Sequence, residues 1–112
     1  MADPEHATGP VVVVLPAEID IVNAEGIGEQ LRSALRPGVT VVIADMTSTV
    51  FCDSSGMRHL VLVHDYATAH DAQLRLAVPP GHVLRILKLM GLDHLLPIYP
   101  SLATALTDGS PV

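Results

Sequence analysis

Aromatic residues are nearly absent from this chain: two tyrosines, one phenylalanine and no tryptophan among 112 residues. A core without large rings has to be packed from Val, Leu, Ile and Ala, and a hydrophobic content of 49% is enough to do it. Cysteine is as scarce. With Cys52 alone no internal disulfide can form, which agrees with a reducing compartment. Positive charge is also short, six Lys and Arg against twelve Asp and Glu, for a net −6. The cations are scattered; only Arg32 with Arg36 and Arg85 with Lys88 lie about one helical turn apart. Such a field opposes phosphate-backbone binding, so no direct nucleic-acid contact is expected. A protein partner with a basic or mixed surface suits it better. Missing too is any run approaching the ~20 apolar residues of a membrane helix. Met1 to Pro10 lacks the basic start and apolar core of a signal peptide. The expectation is a soluble, cytoplasmic protein without membrane contact.

What is present alternates. Val11 to Leu15 reads as a strand buried on both faces, closed by Pro16. Asn23 is a good N-cap for a helix from Ala24 to about Arg36, with Ile27, Leu31, Ala34 and Leu35 on one face and Pro37-Gly38 as the stop. Val39 to Ala44 is a second buried strand. A helix from about Ser55 to His70 carries Met57, Leu60, Val61, His64 and Ala67 at helical spacing. Leu74 to Val78 is a third strand. Val83, Leu84, Leu87 and Met90 then mark a short amphipathic helix, with Gly91 at its C′ position. Leu95 to Tyr99 is a brief edge strand, and Ser101 caps a last helix from Leu102 to Leu106. This order predicts an α/β fold, a mixed but largely parallel central sheet covered by about four helices. One domain over 11–107 is expected, after a polar segment 1–10 that forms a short or irregular strand and before a tail 108–112.

The chemistry concentrates in Cys52-Asp53-Ser54-Ser55-Gly56-Met57, between a strand and a new helix. A hydroxyl there faces backbone N–H groups that lack intrahelical partners, in a place that tolerates negative charge. Ser54 is therefore either a helix cap or a phosphate switch. Cys52, beside the apolar Val50 and Phe51, is expected to be a partly buried free thiol. The six histidines do not form a metal pattern: His59 and His64 are five apart on one helix, unlike the i, i+4 pair of a zinc helix. His64 reads as a packed core residue, the other histidines as surface residues. No Gly-x-Ser-x-Gly elbow supports a hydrolase, and Gly26-x-Gly28 falls inside the first helix rather than at a strand-to-helix turn. No catalytic residue, metal or cofactor is expected. Arg58, Leu62 and Tyr66 lie opposite Leu60 and His64 on the second helix, forming a candidate docking patch.

With these residues in view, the chain resembles the STAS domain of bacterial anti-sigma factor antagonists over roughly residues 11 to 107. Ala17-Glu18-Ile19-Asp20 resembles the family's Gly-Glu-Ile/Leu-Asp signature. Asp53-Ser54-Ser55-Gly56 with Met57 resembles its Asp-Ser-Ser/Thr-Gly-Leu motif. Leu89-Met90-Gly91-Leu92 and Ser101 to Leu106 resemble its C-terminal pattern. Two features depart from the family: Ala17, after Pro16, replaces the signature glycine, and Met1 to Pro10 is a poor candidate for the strand that usually precedes Val11.

The resemblance implies that Ser54, with Ser55 as runner-up, is phosphorylated by an anti-sigma factor that is itself a serine kinase. A separate serine phosphatase would reset it. It also implies a partner-facing set of Asp20, Asp53, Ser54, Ser55, Gly56, Met57, Arg58 and Leu62. Unphosphorylated, such a protein binds the anti-sigma factor and frees the sigma factor; phosphorylated, it lets go. One alternative is a STAS docking subunit of another assembly, such as a lipid ABC transporter, with Ser54 never modified. Another is a small serine hydrolase or nucleotide-binding enzyme using Ser54, which would need a pocket and a base beside that serine.

Overall fold

Val41–Asp45, apolar enough to be buried on both faces, lies inside a four-stranded sheet. The computed structural model describes residues 9–107. The expected polar segment as far as Thr8, and the tail 108–112, lie outside the described residues. In chain order the elements are β1 (Val11–Val14), β2 (Glu18–Ile19), α1 (Ala24–Ala34), β3 (Val41–Asp45), β4 (Phe51–Cys52) and α2 (Ser54–Ala69). There follow β5 (Gln73–Ala77), α3 (His82–Leu89), a 3₁₀ turn at Leu92–His94, β6 (Ile98–Tyr99) and α4 (Leu102–Thr107). The main sheet has the order β1-β3-β5-β6, and every described pairing is parallel. Strand–helix alternation had pointed to such a sheet, because parallel neighbours need crossover connections. β2 and β4 pair separately as a parallel ladder, Glu18 opposite Phe51 and Ile19 opposite Cys52.

Alternation along the strands divides the interior into two layers. Val42, Ala44, Leu74 and Leu76 face a large core closed by α1, α2 and α3. On the other face Ile43 and Ala77 pack with Tyr99 and Ala105 under the short α4. Arg75 is buried on this second face; its guanidinium donates to the Ala105 carbonyl at 2.7 Å and lies 5.7 Å from the Tyr99 ring centre. Ser101 and Thr104 cap α4 reciprocally, each hydroxyl accepting from the other's backbone N–H.

β1 departs from its expected double-sided burial. Val13 is inside, but Val12 and Val14 are exposed. Among the described residues β1 lies at one edge of the sheet, and the six-residue α4 packs mainly on β3, β5 and β6. The seam of α2 is also shifted: Gly56, Met57, Leu60, Val63 and Ala67 are buried, and His64 is half-exposed. A β-branched apolar side chain takes the dry position and leaves the imidazole at the wet margin. α3 ends as expected, with Gly91 left-handed (φ 81°) and its N–H donating to Lys88 O. Among the described residues no helix is long and apolar enough to cross a membrane.

Candidate functional site

Two loops at the C-terminal ends of the strands build the site, and the β2–β4 ladder ties them together. Val50 N–H donates to Ala17 O at 2.8 Å, Thr49 Oγ1 donates to Pro16 O at 2.9 Å, and Asp53 N–H donates to Ile19 O at 3.1 Å. Asp20 is therefore carried on the same strapped unit as Ser54. Its carboxylate accepts from Val22 N–H at 2.9 Å, an Asx turn that shapes the entry to α1. Asn23 does not cap that helix with its side chain, as its type had suggested. Its Oδ1 accepts from Asp20 N–H at 2.9 Å and its Nδ2 donates to Glu18 O at 2.8 Å, so it braces the loop instead.

The cap of α2 is Asp53. Its Oδ1 accepts from Gly56 N–H at 3.1 Å, and Met57 N–H closes on Asp53 O at 3.0 Å. Ser54 is thus the first helical residue rather than the cap, and its side chain is exposed. The cap leaves the N–H groups of Ser54 and Ser55 without intrahelical acceptors, beside the Ser54 hydroxyl. Gly56 is buried where a Cβ would lie 2.7 Å from both Cys52 Sγ and Ile19 Cγ2, so only glycine lets α2 start this close to the ladder. Met57 is buried beneath it.

Ser55 is half-buried and lines a groove of about 190 Å³ between the starts of α1 and α2, with Ile21, Ala24, Glu25, Arg58 and His59. His59, expected at the surface, has its Nδ1 buried without a hydrogen-bond partner against Gly28 of α1. Arg58 is exposed and Leu62 is 39% exposed, as expected of an outward face. Tyr66 does not complete their patch: it packs against the core margin and stacks on His70 with ring centres 4.1 Å apart.

The largest apolar exposure at this rim lies where sequence reasoning placed no contact. Ile21 and Val22 are 77% and 88% exposed, and Val50 and Phe51 are exposed on the other loop. Glu18, Asp20, Glu25 and Asp53 stand in the same two loops and the adjoining turn of α1. The overlooked signal was apolar residues flanking a polar motif without strand or helix period. Cys52 itself is buried and free, as expected, even though Val50 and Phe51 point away. Burial first, and the Asp53 charge second, push its thiol pKa up to about 11. Among the described residues no three His, Cys, Asp or Glu side chains gather as a metal site.

The STAS domain family profile matches residues 1–105, and the chain belongs to that family. Among solved structures it is similar to an anti-sigma factor antagonist from Mycobacterium paratuberculosis, with a TM-score of 0.80 and 23% identity over 96% of this chain and 97% of that one. It is also similar to a Thermotoga maritima protein proposed to be an anti-sigma factor antagonist, with a TM-score of 0.74 and 22% identity over 87% of this chain and 86% of that one. No curated protein matches it in sequence.

Proposed function

We propose that this chain is a cytoplasmic, non-enzymatic anti-sigma factor antagonist switched by phosphorylation of Ser54. The observation that carries this reading is the position of Ser54: exposed at the first turn of α2, on a strapped rim with four exposed apolar side chains. Unmodified, Ile21, Val22, Val50 and Phe51 supply apolar area for a kinase-type anti-sigma factor, which then releases its sigma factor. Arg58 and Leu62 extend that contact along α2, and Asp20 and Asp53 hold its loops in shape. Phosphate on Ser54 brings a charge of about −1.5 to −2. The free N–H groups of the first turn hold it without unfolding the helix. The same charge must be desolvated in an apolar contact edged by carboxylates, with Arg58 one turn away as its nearby cation, so docking weakens by a few kcal/mol. A serine phosphatase restores the binding form.

The fold of the two neighbouring structures and the family membership support this reading. It is tested on protein isolated from its own cell under inducing and non-inducing conditions, by intact mass, phosphosite mapping and identification of copurifying chains. A phosphate on Ser54 that changes with condition, and a kinase-like partner bound only to the unmodified form, are expected. A transporter ATPase as partner, with Ser54 unmodified throughout, would replace the switch by constitutive docking.

A further inference from the structure

The basic residues of α3 sit beside its most exposed apolar ones. Leu89 and Met90 are 74% and 61% exposed, while Val83, Leu84 and Leu87 anchor the helix in the core. A shallow depression of about 340 Å³ runs along the outer side, lined by Pro80, Gly81, Leu84, Arg85, Lys88 and Leu89. Arg85 and Lys88 are exposed and are two of only six Lys and Arg in a chain of net charge −6. The eight residues of α3 include no Asp or Glu. An apolar trough edged by cations alone is the inverse of the Ser54 rim, where carboxylates stand beside the apolar residues.

We propose that this side of α3 is a second docking surface, which takes an acidic amphipathic helix of a protein partner. Apolar side chains of that helix fill the trough beside Leu84 and Leu89, and its carboxylates meet Arg85 and Lys88. Pro80 and Gly81 form the end of the trough and also line a cleft with Val50 and His82, so the α3 surface runs on into the Ser54 rim. One partner can therefore span both, apolar and basic against the rim, apolar and acidic against α3. A lipid surface fits less well. Two cations attract an anionic membrane only weakly, and the net charge of the rest of the chain opposes it. The inference goes beyond the switch reading and does not depend on it.

The test uses the isotope-labelled full chain and two synthetic peptides with identical leucine spacing, one carrying Glu at its polar positions and the other Lys. The Glu peptide is expected to shift the amides of Gly81 to Met90 saturably, and the Lys peptide to leave them in place. Arg85→Glu combined with Lys88→Glu should weaken the Glu peptide roughly tenfold, since each exposed ion pair is worth up to ~1 kcal/mol. Leu89→Ser should weaken it as well, and unchanged melting curves confirm that these exposed substitutions leave the fold intact. Unshifted α3 amides, equal binding of the Lys peptide, or full binding by the charge-reversed pair overturns the proposal. Sedimentation with phosphatidylserine vesicles, if the Glu peptide does nothing, assigns the surface to lipid and overturns it too. None of these readouts involves Ser54, so failure here leaves the switch reading standing, and the reverse.

Discussion

The Asp53 carboxylate accepts from the Gly56 amide at 3.1 Å, and through that contact an acidic side chain, not a serine hydroxyl, starts α2. Asp53→Ala should therefore lower stability by about 0.5–2 kcal/mol, and Asp53→Asn, which keeps a capping oxygen, by less. Chemical denaturation of the three proteins checks the order. Equal stability of all three would mean that the cap contributes nothing.

Ser54→Ala removes an exposed hydroxyl from the first helical position, so its stability should stay within about 0.5 kcal/mol of wild type. Phosphorylation by the cognate kinase should disappear and partner binding should persist. Ser54→Asp suits the helix start electrostatically, so the fold survives while partner binding falls. Calorimetric titration of both variants against the partner decides. If Ser54→Ala still takes a stoichiometric phosphate in the same loop, Ser55 is the acceptor.

Gly56→Ala is predicted to be the most damaging small change in the motif. Its methyl group meets Cys52 Sγ and Ile19 Cγ2 at 2.7 Å, both on buried residues, and overpacking of this kind costs about 1–3 kcal/mol. Cys52→Ala in the same background removes one of the two clashes and should recover part of the loss. Thermal unfolding of the single and double variants measures it.

Cys52 gives the fold a pH dependence of definite sign. Its thiol holds its proton to about pH 11 in the folded chain, against 9.0 for the ordinary group. Above the lower value the unfolded chain releases a proton that the folded one keeps, so stability falls as pH rises through this window. Cys52→Ala should flatten that slope. Native thiol labelling should be slow at neutral pH and accelerate on denaturation; fast native labelling would contradict the burial.

Ile21→Ser should leave the melting temperature nearly unchanged, because its side chain is 77% exposed, whereas Phe51→Ser, at a side chain more than half covered, should lower it modestly. Each should weaken anti-sigma factor binding by more than about 1 kcal/mol if it sits near the centre of the contact. A pair of variants that bind like wild type would move the contact down α2 toward Arg58 and Leu62.

The long apolar runs were legible because their patterns are strong: β3, β5, α1 and α2 lie within a few residues of their expected places. The β2–β4 ladder was not, since two-residue strands carry no period and their pairing joins segments far apart in sequence. The exposed side of β1 was hidden for another reason. Four valines in a row look alike whether or not a helix covers the second face. In the motif, residue types gave the right neighbourhood but the wrong capping residue: Asp and Ser both cap well, and only the backbone shows that Asp53 is the extended one. His64 and Val63 are adjacent, so a one-residue error in the helical seam exchanged their surroundings.

All described strand pairings are parallel, which has a consequence for how the chain folds. A parallel pair cannot be made by a hairpin, so none of the described strands can start its pairing through a tight turn. The first pairing of β1 with β3 has to wait for the intervening helix and loops to close, a search that places such topologies among the slower single domains. The Asp53 cap is local to α2, but the bonds that join Ala17 to Val50 and Ile19 to Asp53 are not, so a chain whose loops have not yet met presents the Asp-Ser-Ser-Gly residues without Ile21 and Val22 beside them.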